Sequence, residues 1–297
     1  MKYGLFFRLK DNKQVDTMVF LTPSGIVAYL KSPSFKKFIP DWIIAVTLGV
    51  YFFVVAEHAK PFARQFSLDD LTISHPFATV ERVTGINCIL ISTLVPLFVI
   101  LGVSLAKAGS SNNRHSSLHN LQIAILGLAV SLCINGVVTD ILKNWISRPR
   151  PDFLARCGPE AGTPTTGLVD INVCTAPLGI PVFIDGMRST PSGHSSISFS
   201  GLLYLTLWLF GQFKVLKPGA PQPLHHFLLF SLPILLASYI ALSRTQDYRH
   251  HFVDIILGGI IGIFFAVFSY HRYFHGLWTE DSEKPLDEEA TESLLPR

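Results

Sequence analysis

Long apolar runs alternate with short polar stretches along most of the chain. Six of these runs approach the ~20 residues that an α-helix needs to cross a bilayer. Few charges interrupt them, so buried helices of a soluble domain are the less favoured interpretation. The pattern therefore predicts an all-α, multi-pass membrane protein with six transmembrane helices, and the runs cover residues 42–56, 86–106, 121–139, 195–213, 227–243 and 255–271.

The composition agrees with this fold class. Of the 297 residues, 49% are hydrophobic and 15% are charged, whereas a soluble domain carries about 25% charged residues. The net charge of +3 is small and no basic stripe is present, so no nucleic-acid partner is expected. The four cysteines are too scattered for a zinc site or a redox CxxC pair.

The polar segments divide the chain into three parts. Residues 1–37 form a basic N-terminal segment, residues 38–275 hold the six-helix domain, and residues 276–297 form an acidic tail that we expect to be disordered. With six spans, both termini lie on one side. The terminal segments and even-numbered loops carry more Lys and Arg than the odd-numbered loops, so the positive-inside rule predicts a cytosolic N-terminus.

The most polar stretch close to the membrane is residues 243–254, between the fifth and sixth runs. Ionisable groups near hydrocarbon are costly and tend to mark function. We expect the sixth helix to begin soon after Tyr248, which places His250 and Asp254 on one helical face. A carboxylate so placed binds one imidazole nitrogen and leaves the other free as a nucleophile. Arg244 lies just upstream, where it can hold an anion.

Two further polar clusters lie on the third loop. Residues 143–151 follow the third run, and residues 191–194 precede the fourth. The stretch 243–254 is on the fifth loop, and odd-numbered loops face the same side of the membrane. We therefore expect an active site built from the third and fifth loops.

The side chains of these clusters suit phosphate chemistry. Lys143, Arg150 and Arg244 can neutralise a phosphate group. Ser192 and Gly193 precede a helix, whose N-terminus favours an anion and whose glycine allows close approach of the backbone.

The histidines supply an acid and a nucleophile. His194 is placed to protonate a leaving alkoxide while His250 attacks phosphorus from the opposite side. His251 lies three residues before Asp254, so helix geometry alone would permit it as the nucleophile. Each cluster alone also has an ordinary structural explanation, as membrane-flanking charges, a helix cap or a helical side-chain pair. Their occurrence together on one side favours the functional interpretation.

The motifs Lys143-x6-Arg150-Pro151, Pro191-Ser192-Gly193-His194 and Ser243-Arg244-x5-His250-x3-Asp254 resemble the three signatures of the type 2 phosphatidic acid phosphatase superfamily. That family also includes the vanadium haloperoxidases. The resemblance covers roughly residues 62–273. The stretches 64–70 and 148–157 are similar to the branch of diacylglycerol pyrophosphate and lipid phosphate phosphatases.

The resemblance implies a six-helix membrane fold and a phosphohistidine intermediate on His250, oriented by Asp254, with His194 as general acid. It also implies that no divalent metal or other cofactor is needed. The phosphate-binding residues would be Lys143, Arg150, Ser192, Gly193 and Arg244.

The sequence therefore predicts an integral-membrane phosphatase that acts on phosphatidic acid, diacylglycerol pyrophosphate and lysophosphatidic acid. The site would face the lumen or the outside, in the vacuole, the endoplasmic reticulum or the plasma membrane. The alternative is a catalytically silent lipid-binding or transport protein on the same scaffold. A haloperoxidase is disfavoured by the six spans, and no oligomeric state follows from the pattern.

Two smaller expectations concern the loops. Cys157 and Cys174 share the third loop on the side that would be oxidising, so we expect a disulfide between them. Cys88 and Cys133 lie inside runs and should be free and buried. Asp69 and Asp70, on the first loop, are expected to act as a structural cap rather than as metal ligands.

Overall fold

The computed structural model of the protein describes residues 23–108, 114–219 and 222–287. In these ranges the chain is helical apart from loops and isolated β-bridges, which confirms the all-α prediction. A π-helical turn, Phe52–Ala56, extends the third helix. The helices are α1 Pro23–Leu30, α2 Pro33–Lys37, α3 Ile39–Tyr51, α4 Gly85–Ala108, α5 Arg114–Ile146, α6 Phe153–Cys157, α7 Ile180–Gly186, α8 Gly193–Gln212, α9 Leu224–Gln246 and α10 Phe252–Tyr273.

Five helical segments of the described ranges are long and apolar enough to cross a membrane, so the chain is a multi-pass membrane protein. Helix α8 corresponds to the expected fourth span and has 20 residues, but it does not belong to this apolar set. The number six therefore stays a prediction. The five segments are Ile39–Ala56, Gly85–Ala108, Ser116–Ile146, Leu224–Gln246 and Phe252–Tyr273.

Helix α8 is more polar because it lies at the centre of the helices and not against lipid. It packs against α4, α5, α9 and α10, and several of its hydroxyl groups form hydrogen bonds to these helices. The Oγ of Ser200 lies 2.7 Å from that of Ser131, and Ser195 donates to the carbonyl of Ile255 at 2.7 Å. Hydroxyl groups that bond across helices in this way hold a helix bundle together where the hydrophobic effect between helices is weak.

Two glycines allow α10 to approach α8 closely. A Cβ atom at Gly258 would collide with the carbonyl oxygen of Ser192, and one at Gly262 would collide with that of Ser196. The spacing Gly258-x-x-x-Gly262 is thus a packing motif. This contact fixes the N-terminus of α8 beside the N-terminus of α10.

The loops on one side of the helices form a cap with a small hydrophobic core of its own. The predicted disulfide between Cys157 and Cys174 is present in this cap. Cys88 and Cys133 are free thiols, and Cys88 is buried as expected, whereas Cys133 is only partly buried. Asp70 caps the short turn Leu71–Ile73 by accepting from Thr72, as expected of a structural residue. The buried members of the cap core are Phe66, Ile73, Phe153, Cys157, Phe183 and Met187.

The chain ends differ from expectation where they are described. Residues 1–22 of the basic segment and residues 288–297 of the acidic tail lie outside the described ranges. The first part of the tail, 276–287, was expected to be disordered but packs along the ends of the helices. Its backbone carbonyl at Glu283 accepts from Asn120 at 2.9 Å and from Gln212 at 2.8 Å, and Ser282 is fully buried. Buried side-chain donors hold this segment, which its charge pattern does not reveal.

Candidate active site

The three motifs meet in one polar cavity of about 350 Å³ between the helix ends and the cap. Six of the eight predicted site residues line it: Lys143, Arg150, Gly193, His194, Arg244 and His250. Ser192 and Asp254 lie directly behind this lining and are both fully buried. The residues of the three motifs therefore lie close together in the structure.

His250 lies on the turn between α9 and α10, and its side chain is only 2% exposed. Its Nε2 atom is 3.5 Å from Nη1 of Arg150, and both residues line the cavity. Its Nδ1 atom has no hydrogen-bond partner among the described residues. A nitrogen that faces the cavity beside a guanidinium group lies where an anion would enter.

The expected helical pairing of His250 with Asp254 is not present. Helix α10 begins at Phe252, with His251 as its N-cap, so His250 precedes the helix. The Nδ1 atom of His250 is 4.0 Å from Oδ2 of Asp254, which is beyond hydrogen-bonding distance. The physical reason is a capping box, in which Asp254 binds the backbone N–H of His251 at 3.0 Å.

Asp254 is instead held by a set of neighbouring donors. Its Oδ2 accepts from Ser189 at 2.6 Å, and its Oδ1 accepts from Thr190 and, at 3.2 Å, from Arg148. Arg148 lies within the first cluster, but the sequence did not predict its contact with Asp254. The three donors fix the carboxylate between the second and third motifs.

The two adjacent histidines have different surroundings. His251 approaches Asp254 with its Nδ1 atom at 3.2 Å and the carbonyl of Thr72 with its Nε2 atom at 3.2 Å. It does not line the cavity, whereas His250 does. With both ring nitrogens of His251 engaged, His250 is the better placed nucleophile.

Each basic residue of the cavity has an acidic partner. Arg150 contacts Asp185 at 2.7 Å, Lys143 lies 3.5 Å from Asp140, and Arg244 binds Glu81 at 2.6 Å. These carboxylates, together with Glu57, also line the cavity, and sequence reasoning missed them. Asp140 could have been found, because it lies one helical turn before Lys143. The others come from a short helix and from loops, and they have no recognisable sequence spacing to the motifs.

The motif Ser192-Gly193-His194 forms the beginning of α8. Ser192 is the N-cap, and its hydroxyl accepts from the backbone N–H of Ser195 at 3.4 Å. A Cβ atom on Gly193 would lie 2.7 Å from Nζ of Lys143, so a larger residue there would require the lysine side chain to move. The Nε2 atom of His194 lies 3.1 Å from the carbonyl oxygen of Val83.

Burial and the charges around the cavity shift the pKa values of its ionisable side chains. Burial, together with the positive charges of Arg150 and Lys143, lowers the pKa of His250 well below the usual value for histidine. Although burial opposes it, Arg150 and Arg156 hold the pKa of Asp185 below its usual range. The lowered pKa favours the neutral imidazole of His250.

An apolar groove of about 270 Å³ adjoins the polar cavity. It lies between α3 with its π-helical turn, α4 and α5. Its lining beyond the shared residues includes Gly49, Thr93, Leu94 and Leu132. We call the region that borders both spaces the neck, and it consists of Phe52, Phe53, Ile89, Gly136 and Ile197.

Comparison with known proteins gives the family. The PAP2 superfamily model matches residues 124–277. The chain is 42% identical to diacylglycerol pyrophosphate phosphatase 1 of Saccharomyces cerevisiae, over 80% of this chain and 83% of that protein. It is 40% identical to the probable diacylglycerol pyrophosphate phosphatase 1 of Schizosaccharomyces pombe, over 79% and 80% of the two chains. It is also 32% identical to lipid phosphate phosphatase 2 of Arabidopsis thaliana, over 82% and 80% of the two chains.

No solved structure matches the chain significantly. The family model covers more than half of the residues, and the three relatives align with most of the chain. The chain therefore belongs to the PAP2 superfamily.

Proposed function

We propose that the protein is a lipid phosphate phosphatase, which releases inorganic phosphate from phosphatidic acid, diacylglycerol pyrophosphate and lysophosphatidic acid. One observation carries the proposal: a cavity with two histidines and three motif cations adjoins an apolar groove, and the two spaces share the neck residues. A phosphate headgroup fits the first space and an acyl chain fits the second. The names of the relatives, which are diacylglycerol pyrophosphate and lipid phosphate phosphatases, support the same substrate class.

In the first step, Nε2 of His250 attacks phosphorus and the bond to the leaving oxygen breaks. His194, which enters this step as the imidazolium cation, gives its proton to the leaving alkoxide, so that diacylglycerol departs as a neutral alcohol. In the second step, water attacks the phosphohistidine, and His194 takes the proton of that water. Phosphate is released and both imidazoles return to their initial state.

Lys143, Arg150 and Arg244 would bind the phosphate oxygens, together with the backbone at Gly193. Their acidic partners hold these cations in place before substrate arrives, and such fixed charges stabilise a transition state without reorganisation. The distance of 3.5 Å between Nη1 of Arg150 and Nε2 of His250 supports a phosphoryl group that is bound beside both side chains. Ser192 contributes by capping α8 and holding Gly193 and His194 at the cavity.

Asp254 would orient His250 through its Nδ1 atom. The present separation of 4.0 Å needs only a small shift of either side chain to become a hydrogen bond. Hydrogen bonds of this kind are often long in enzymes without substrate and tighten in the complex. The unpartnered Nδ1 atom of His250 favours that shift once the phosphoryl group makes the ring cationic.

The proposed orientation places the termini in the cytosol and the cavity in the lumen or outside. The disulfide in the cap supports this side, because disulfides persist in oxidising compartments. The vacuole, the endoplasmic reticulum and the plasma membrane all satisfy this condition. The domain limits at residues 37 and 276 are proposed from composition.

The test is phosphate release from phosphatidic acid in detergent micelles by the purified protein. We expect turnover by the wild type and none by His250→Ala. A protein that binds the lipid but releases no phosphate would instead support the silent lipid-binding alternative. Oxidation of halide with peroxide, in the presence of vanadate, would support a haloperoxidase.

A further inference from the structure

Two carboxyl groups border the neck on its polar side. Along α5, successive turns carry Lys143, Asp140 and Gly136, and Gly136 belongs to the neck. On the opposite side, Glu57 ends the π-helical turn Phe52–Ala56 and lies four residues after Phe53, which also belongs to the neck. The side chains of Glu57 and Asp140 therefore lie between the phosphate-binding residues and the apolar groove.

The two carboxyl groups are direct neighbours. Oε2 of Glu57 and Oδ1 of Asp140 lie 3.8 Å and 3.6 Å from the same Nη2 atom of Arg188, so the two carboxylates repel each other when both are ionised. The Oδ2 atom of Asp140 has no hydrogen-bond partner among the described residues. Asp140 is 3% exposed, whereas Glu57 is 54% exposed on the open side of the neck. Glu57 is therefore the member that a bound ligand can contact.

The cations near the pair are too few to neutralise it during catalysis. Lys143 lies 3.5 Å from Asp140, and Arg188 lies 3.6 Å from Asp140 and 3.8 Å from Glu57. When Lys143 turns to a phosphate oxygen, Arg188 alone remains for two carboxyl groups. Partial burial and the charge of Asp140 raise the pKa of Glu57, against the opposing effect of Lys143 and Arg188.

The other elements around this space supply no further charge beside Glu57. Helix α4 faces the cavity with Gly85, Ile86, Ile89 and the thiol of Cys88, and α8 faces it with His194. The remaining charged groups belong to the phosphate end of the cavity, and they are Glu81, Arg150, Asp185, Arg244, Arg249 and His250.

The position of the pair decides which part of a substrate it meets. With the terminal phosphate at His250 and the acyl chains in the groove, the linking group must pass the neck. In a phosphate monoester, this linker is a neutral glycerol ester. In a pyrophosphate lipid, it is a second, anionic phosphate group.

We propose that Glu57, paired with Asp140, determines the preference of the site between monophosphate and pyrophosphate lipids. This inference rests on the proposed lipid phosphatase function. An ionised Glu57 repels the inner phosphate of a pyrophosphate lipid and tolerates the glycerol of a monoester. A protonated Glu57 donates a hydrogen bond to the inner phosphate and removes the repulsion.

The experiment measures kcat/KM for diacylglycerol pyrophosphate and for phosphatidic acid, and takes the ratio of the two values. This ratio is compared between wild type and Glu57→Gln from pH 5 to pH 8.5 in mixed micelles. Comparing the proteins at each pH cancels the ionisation of the substrates. Glu160→Gln is the matched control, because Glu160 is an exposed residue of the cap that does not line the cavity.

We expect Glu57→Gln to raise the ratio on the order of tenfold above pH 7, because the amide has donors and no charge. The difference from wild type should shrink as the pH falls and wild-type Glu57 becomes protonated. Glu57→Ala removes the charge without adding a donor, so it should raise the ratio by a smaller factor. The control should leave the ratio unchanged.

An unchanged ratio in both Glu57 variants, across the whole pH range, would overturn the inference. If one variant does not fold, the other decides. The wild type provides a further measure in competitive inhibition by inorganic pyrophosphate relative to phosphate, compared with Glu57→Ala. Failure of the wild type to hydrolyse either lipid would refute the proposed function instead, so the two failures are distinguishable.

Discussion

The Nδ1 atom of His250 lies 4.0 Å from Oδ2 of Asp254, just outside hydrogen-bonding distance. The carboxylate is already used by the N-terminus of α10 and by Ser189, while the imidazole nitrogen is buried without a partner in the described chain. The two side chains are thus close together, but no hydrogen bond joins them. Its closure on substrate binding would couple the nucleophile to the helix that carries the carboxylate.

The first prediction separates the two neighbouring histidines. His250→Ala should abolish turnover and the acid-labile phosphoenzyme, because it removes the cavity-facing nitrogen. His251→Ala should keep substantial activity, although loss of its cap contact should lower thermal stability slightly. Rapid-quench detection of the phosphoenzyme with labelled substrate measures both. An active His250→Ala beside an inactive His251→Ala would exchange their roles.

The second prediction concerns the carboxylate itself. Asp254→Asn should lower kcat by about two orders of magnitude or more, because the amide cannot stabilise the imidazolium form of His250. Ser189→Ala is the matched control, since it removes one donor to Asp254 and leaves the charge. Its effect on kcat should be much smaller. Equal losses in the two variants, with KM unchanged, would argue that position rather than charge is what matters.

The third prediction follows from the lowered pKa of His250. A lowered pKa keeps the ring neutral as the pH falls through 6.5, the usual value for histidine. Diethyl pyrocarbonate modifies neutral imidazole, so modification of His250 should continue below pH 6, where a free histidine derivative no longer reacts. Mass spectrometry after short exposure, with vanadate protection as the site control, measures the rate. A midpoint equal to that of the free derivative would contradict the prediction.

The fourth prediction is that hydrolysis needs no added divalent metal and is inhibited by orthovanadate. Lys143, Arg150 and Arg244 supply the fixed positive charge that metal ions supply in two-metal phosphatases. Vanadate adopts the trigonal-bipyramidal geometry of in-line transfer, with His250 as a ligand. Activity is measured in excess EDTA on protein purified without metal. Loss of activity that Mg²⁺ restores would contradict the prediction. It would indicate that the four carboxylates of the cavity, Glu57, Glu81, Asp140 and Asp185, bind a metal ion.

The fifth prediction concerns the cap. Without reductant, alkylation should modify neither Cys157 nor Cys174, and both should react after reduction. The bond closes a loop with a sequence separation of 17, and the chain-entropy model gives about 3 kcal/mol for a loop of this size. The double variant Cys157→Ser/Cys174→Ser should therefore inactivate at lower temperature in detergent. Alkylation of both thiols in the untreated protein would remove the support for a lumenal or external cap.

The sequence was sufficient to predict that the motifs share a site. The reason is simple, because odd-numbered loops face one side and the motif spacing selects Lys143, Arg150, His194 and His250. It was not sufficient to place the beginning of α10. The pairing of His251 with Asp254 as a capping box depends on local geometry, and it moves His250 off the helix.

The positions of the acidic residues in the cavity could not be predicted from the sequence either. Asp185 reaches Arg150 from the short helix α7, and Glu81 reaches Arg244 from a loop, and the positions of both segments depend on tertiary packing. The folded part of the acidic tail depends on Gln212 and other side chains that are distant along the chain. Contacts of this kind leave no periodic trace in the sequence, whereas apolar runs do.

The central position of α8 has a consequence for the biosynthesis of the protein. A helix with buried Ser195, Ser196, Ser198 and Ser200 gains little by entering lipid alone. Two of the helices that surround it, α9 and α10, are synthesised later. We infer that α8 is retained beside the earlier helices, or held by the insertion machinery, until they arrive. The cavity at the N-terminus of α8 would then be completed only after the last helix has left the ribosome.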